Sequence, residues 1–242
     1  METINITLPR SWQELTPKQV RYVYFLLSEG YSPQAVKTFC LCRWAGIEVI
    51  EPYGDGYTIR YQKNLYHLTA SKMAACLHHL AWLDTVPSVP IRLELAGREA
   101  PAADLAGVTF AQYITCDNLY TGYLHTQSTE LLQEIVRVLY DDETITCSNA
   151  ERIAMFYWFA SVKSLFGRLF PHLFTTASTL EVGDMEKKLR DQMNAEIRAL
   201  TKGDITKEEA VMNMDVHRAL TELDAQAEDY EEMKKWSGST PN

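Results

Sequence analysis

Hydrophobic positions recur along most of the 242-residue chain with the three- and four-residue spacing of an α-helix. Capping residues precede many of these segments, and Gly, Pro or polar residues follow them. The pattern predicts helices near residues 16–28, 32–44, 71–83, 109–124, 129–140, 148–166 and 183–200, and a further helix beginning near Thr206. The expected fold is therefore mainly α-helical, a multi-helix globular arrangement.

Capping boxes provide the strongest helix-start signals. In a capping box a Ser or Thr side chain and a Gln or Glu three residues later bind each other's backbone N–H groups. Four pairs fit: Thr16 with Gln19, Thr109 with Gln112, Ser148 with Glu151, and Thr206 with Glu209. The helix opened by Ser148 is apolar on nearly every side, which is typical of a helix at the centre of a domain.

A small β element interrupts the helical pattern. Residues 48–51 and 57–61 have the composition of strands, and the segment between them is rich in turn formers, including Gly54 and Gly56. This arrangement predicts a β-hairpin. Alternating apolar residues predict two more short strands, at residues 4–8 and 91–95.

The composition changes after Thr179, which predicts three parts: a helical core domain over residues 1–180, an acidic helical appendage over 181–236, and a frayed tail over 237–242. The appendage has 9 basic and 15 acidic residues, a net charge of −6 out of −9 for the whole chain.

The last helix of the appendage has one apolar stripe, and charged residues lie on both sides of it. We hypothesise that this stripe binds a protein partner or another copy of the chain; it comprises Val216, Leu220, Leu223, Ala227 and Tyr230. The alternative is that the stripe packs on the chain's own core.

Charge and composition argue against nucleic acid and membranes as partners. The acidic balance and the lack of a Lys/Arg cluster argue against binding to duplex nucleic acid. The longest apolar run, residues 153–160, is too short for a membrane span of about 18 residues. The N-terminus has no signal-peptide pattern, and five irregularly spaced cysteines favour a reducing compartment. We therefore expect a cytoplasmic protein that binds neither nucleic acid nor membranes.

Two segments support a resemblance. Residues 8–19, LPRSWQELTPKQ, resemble the start of uncharacterised proteins in phages and prophages of gut bacteria, and Phe110 to Tyr140, with its spaced tyrosines, is similar to the same group. Together they cover about a fifth of the chain and carry no catalytic motif. The resemblance implies a virion-assembly or tail-module protein, located in the host cytoplasm or in the virion.

The expected function is a non-enzymatic structural or assembly factor that binds protein. The sequence contains no nucleophile elbow, Gly-rich phosphate loop or metalloprotease motif, and no cofactor is expected. One alternative is an enzyme of unknown class with its site in the core domain, where a general base could come from the histidines. A second alternative is a small regulator that inhibits a host factor.

We expect the purified protein to contain no stoichiometric metal. Cys40 and Cys42 are separated by one residue within a predicted helix, so their thiols point to different faces. Structural zinc sites instead favour pairs separated by two to four residues. Elemental analysis of protein purified under reducing conditions checks this expectation, and about one zinc ion per chain would contradict it.

Overall fold

A computed structural model describes residues 6–91, 94–174 and 185–237. It confirms the mainly α-helical fold with a small β element, because the part of the chain that it describes is 62% helical. The α-helices of the described residues are α1 (Pro17–Ser28), α2 (Pro33–Ala45), α3 (Ala70–His79), α4 (Phe110–Thr126), α5 (Thr129–Tyr140), α6 (Asn149–Leu169), α7 (Met185–Thr201), α8 (Glu208–Met212) and α9 (Val216–Ser237).

The chain forms two compact units. Unit 1 comprises Met1–Pro87 and Ser148–Tyr157, and unit 2 comprises Ser88–Cys147 and Trp158–Asn242. Helix α6 therefore contributes its first part to unit 1 and the remainder to unit 2. The predicted domain boundary between residues 180 and 181 lies outside the described residues. Residues 238–242 of the predicted tail also lie outside them.

The helices of unit 1 start where the sequence predicts. Thr16 caps α1 in a complete capping box with Gln19, and the Ser32 side chain accepts a hydrogen bond at the start of α2. Helix α2 ends at Gly46, whose φ of 66° lies in the left-handed region that glycine tolerates. Local chemistry alone therefore sets these helix ends.

The sheet of unit 1 has three antiparallel strands in the order β1 (Ile47–Tyr53), β2 (Gly56–Tyr61) and β3 (Asn64–Thr69). The predicted hairpin is confirmed as β1 and β2. Strand β3 is not among the predicted strands, because the turn before it uses Gln62 and Lys63, whose φ angles are 46° and 73°. Such angles normally call for Gly or Asn, so this turn has no sequence signal.

Aromatic rings form the core of unit 1. Trp12 is buried, and its ring packs against those of Tyr24, Trp82 and Tyr157 at centroid distances of 6.0, 5.7 and 5.6 Å. Its indole N–H donates to the backbone oxygens of Trp82 and Thr85. One side chain therefore links the start of the chain to the segment that follows α3 and to α6.

A buried glutamine organises the link between α5 and α6. Gln133 is 1% exposed. Its amide Nε2 donates to the Ile145 carbonyl oxygen at 2.9 Å, and its Oε1 accepts from the Cys147 backbone N–H at 2.8 Å. Both ends of the amide are satisfied, so the segment just before α6 is fixed to α5. The Ser148–Glu151 capping box then starts α6, as predicted.

Three local predictions differ from the structure. Residues 6–8 lie in no strand, and residues 4–5 lie outside the described residues. Of the second short strand, predicted over 91–95, residue 91 lies in no strand, residues 92–93 lie outside the described residues, and Glu94–Leu95 form β4, which pairs with Arg98–Glu99 (β5). The Thr206–Glu209 capping box does not form, because the Asp204 carboxylate accepts the Thr206 N–H and starts a 3-10 turn before α8.

Gln133→Glu should destabilise the fold at neutral pH by about 2–4 kcal/mol. A carboxylate can accept from Cys147 but cannot donate to the Ile145 carbonyl oxygen. The neutral acid can donate, so folding raises the pKa of the introduced carboxyl above its unfolded value of about 4.3. The destabilisation is therefore full above the folded pKa and fades as the pH falls towards the unfolded pKa.

Urea unfolding at pH 7 and at pH 5 measures this effect. The matched control is Gln13→Glu, which places the same carboxyl at an exposed position and should change stability little. Equal stabilities for the two variants would show that the Gln133 hydrogen bonds do not hold the segment before α6.

Candidate functional site

Backbone hydrogen bonds fix the start of α9 within unit 2. The Phe110 N–H donates to the Met214 oxygen at 2.8 Å, and the Val216 N–H donates to the Val108 oxygen at 3.1 Å. Thr109 and Asp215 thereby form an isolated antiparallel bridge. This bridge joins the N-terminus of α4 to the N-terminus of α9, so both helices start from one fixed point.

The predicted partner-binding stripe is divided between core and surface. Val216, Leu220 and Leu223 are buried within unit 2, with 0, 1 and 5% of their surface exposed. Ala227 is half-buried, and Tyr230 is 56% exposed. The first three side chains thus pack on the chain's own core, which is the alternative that the sequence left open.

Polar contacts hold the middle of α9. The Asp224 carboxylate accepts from the backbone N–H groups of His172 and Leu173, each at 2.8 Å. The ring of His172 lies between two further α9 carboxylates, 3.7 Å from Glu228 and 3.5 Å from Glu231. The turn after α6 therefore holds α9 as far as Glu231.

Near its C-terminus, α9 exposes three large side chains. Tyr230, Met233 and Trp236 are 56, 63 and 81% exposed. Residues three apart on an α-helix are offset by about 60°, so the three side chains span about 120° of the helix surface. We call these three residues the outer stripe. Met233 and Trp236 are not part of the predicted stripe, because they follow Tyr230 at steps of three residues and not at the alternating steps of four and three that define that stripe.

The outer stripe lies in an acidic environment. Unit 2 has 14 basic and 24 acidic residues, a net charge of −10, whereas unit 1 has 9 basic and 8 acidic residues, a net charge of +1. The Lys234 ammonium lies 4.6 Å from the centre of the Tyr230 ring, a cation–π contact on the helix surface. The charged residues beside the stripe are Glu228, Asp229, Glu231, Glu232, Lys234 and Lys235.

A second candidate site is a groove of about 600 Å³ in unit 1, which we call the unit 1 groove. Its floor is the sheet and its walls are α2 and α3. Ala70 and Ala74 occupy successive turns of α3, and their small side chains leave the space between the two helices open. The lining residues are Gln34, Thr38, Phe39, Cys42, Val49, Tyr57, Ala70, Met73, Ala74 and Leu77.

The thiols of α2 are unsuited to nucleophilic chemistry. Burial raises the pKa of Cys40 to about 12, and burial also raises the pKa of Cys42. Both are therefore protonated at neutral pH, whereas only a thiolate is a good nucleophile.

Among the described residues, no group of three or more His, Cys, Asp or Glu side chains is placed to hold a metal ion. Cys76, His78 and His79 thus form no such group with Cys40 and Cys42.

Comparison with protein-family models, with curated proteins and with solved structures found no match to this chain. No helix in the described part of the chain has the length and apolar character needed to cross a membrane. The outer stripe and the unit 1 groove are therefore identified as candidate sites from the structure of this chain alone.

Leu220→Ala should lower the free energy of unfolding by about 2–5 kcal/mol, because it leaves a cavity in the core of unit 2. The matched control is Leu124→Ala, which changes a 48% exposed leucine in α4 and should cost less than about 1 kcal/mol. Urea unfolding of both variants measures the difference. If both variants lose little free energy of unfolding, the inner half of α9 is not part of the core. Leu220 would then again be a candidate for contact with a partner.

Proposed function

We propose that the protein is a non-enzymatic assembly factor that binds a protein partner through the outer stripe of α9. The observation that carries the proposal is the exposure of three large apolar side chains on one side of a helix whose other half is anchored in the core. Tyr and Trp are enriched among the residues that dominate binding energy at protein interfaces. Met is also enriched at such interfaces and adapts its shape to the partner.

The anchoring of α9 lowers the cost of binding. A helix that must form on contact loses conformational entropy at that moment, whereas a preformed helix does not. Burying each large apolar side chain contributes roughly 1.5–3 kcal/mol. The stripe fits an apolar groove that receives one face of a helix.

The charge around the stripe defines the partner further. Unit 2 has a net charge of −10, so a partner surface with a basic rim would be attracted. Salt screens such attraction with a length of about 10 Å at 0.1 M. Association should therefore be faster at low ionic strength. The same charge disfavours direct contact between the acidic units of two copies.

Within this function, we propose a role in phage virion or tail assembly. The support is the resemblance of residues 8–19 and 110–140 to phage and prophage proteins. A non-enzymatic protein with an exposed helical stripe suits such a role, since assembly depends on defined contacts between proteins.

The test combines crosslinking with matched variants. A photoreactive amino acid at Met233 identifies the partner in cells that produce the protein, and sedimentation of the purified chain detects self-association. Met233→Asp with Trp236→Asp should raise the dissociation constant about 100-fold or more without lowering the melting temperature. The control is Ile205→Asp, which changes another exposed apolar residue of unit 2 (82% exposed) and should leave binding unchanged.

Two results would refute the proposal. If the double variant binds the purified partner as tightly as the unchanged protein, the outer stripe is not the binding surface. If the double variant loses its cooperative melting, the stripe is part of the folded core.

A further inference from the structure

We propose that the unit 1 groove is a binding site for an uncharged, mainly apolar small molecule that carries one hydroxyl or N–H group. All residues that line the groove belong to unit 1, whereas the proposed protein-binding surface belongs to unit 2. Three observations support this proposal: the size of the groove, its uncharged lining, and the hydrogen bond that the Thr38 hydroxyl donates to the Gln34 backbone oxygen.

The size of the groove suits a small ligand. Its volume of about 600 Å³ lies within the range of roughly 300–1,000 Å³ that is typical of small-molecule sites. Ala70 and Ala74 line the groove on the α3 side and contribute only methyl groups to it. Met73 and Leu77 of α3 are buried and add apolar surface to the lining.

The lining selects an uncharged ligand. All ten lining residues are uncharged, so an ionised ligand would lose hydration without gaining a counter-ion. Phe39, Val49 and Tyr57 keep 41, 40 and 36% of their surface exposed around the groove. Phe39 is held in place by an edge-on contact with Tyr31 at 5.0 Å. These side chains would become buried against an apolar or aromatic ligand.

The polar side of the groove specifies a donor on the ligand. The Thr38 hydroxyl donates its proton to the Gln34 backbone oxygen at 2.8 Å. Its oxygen can therefore only accept a hydrogen bond from a ligand. The side-chain amide of Gln34, one helical turn away, can donate or accept. A hydroxyl or N–H group at one end of the ligand would match this pair.

The experiment compares two fluorescent probes that differ by one charged group. N-phenyl-1-naphthylamine is neutral, apolar and carries one N–H group, and its 8-sulfonate derivative adds a negative charge to the same rings. We expect the neutral probe to bind the full-length protein saturably at one site per chain. The sulfonate should bind at least about tenfold more weakly at this site, because the lining offers it no cation.

Two neighbouring alanines of α3 provide matched variants. Ala74→Leu fills the groove and should weaken binding of the neutral probe about tenfold or more. Ala75→Leu introduces the same side chain at an exposed position outside the lining and should leave the affinity unchanged. Both substitutions keep a strong helix former, so both variants should fold.

Thiol labelling gives a second measurement of occupancy. Cys42 lines the groove, whereas Cys76 is similarly half-buried on α3 but outside the lining. At alkaline pH, where more of each thiol is ionised, the neutral probe should slow the alkylation of Cys42 and leave that of Cys76 unchanged. Mass spectrometry of peptides measures both rates.

Three outcomes would overturn the proposal. The first is the absence of saturable binding by the neutral probe. The second is equal affinity for the two probes, or equal affinity of the Ala74→Leu and Ala75→Leu variants. The third is a dimer in sedimentation whose dissociation alone exposes Cys42 to alkylation, because the occupant would then be another copy of the chain.

Discussion

The two hydrogen bonds of the Gln133 amide fix the point from which the longest apolar helix starts. Gln133 holds the backbone of Ile145 and Cys147, and the capping box of Ser148 follows directly. The helix α6 that begins there belongs to unit 1 in its first part and to unit 2 in its remainder. Because both ends of the buried amide are satisfied, the backbone immediately before α6 is held in one position relative to α5.

Helix α9 has a buried inner half and an exposed outer half. Its inner half supplies buried side chains to unit 2, and the Asp224 carboxylate secures its middle to the turn after α6. The outer half is thereby presented as a preformed helix with Tyr230, Met233 and Trp236 exposed. Stability of the inner half and exposure of the outer half are therefore linked, because the anchor that stabilises one positions the other.

Unit 1 illustrates how side-chain size creates a site. Two helices and a sheet would normally pack without a gap of this size, since protein interiors are dense. Alanines at positions 70 and 74 leave the space open, and the exposed rings of Phe39 and Tyr57 border it. Gly56 supports the sheet beneath, because a Cβ atom there would overlap the Leu68 carbonyl oxygen.

The sequence by itself determined the mainly helical fold, most helix starts and the first hairpin, because capping boxes, Pro, Gly and apolar spacing act over a few residues. It also located the stripe of α9, but spacing cannot tell whether an apolar face packs on its own chain or on a partner. Only the tertiary structure decided that Val216, Leu220 and Leu223 are buried while Tyr230 is exposed. The unit 1 groove likewise has no sequence signal, because its lining comes from four elements, α2, β1, β2 and α3, that meet only when the chain folds.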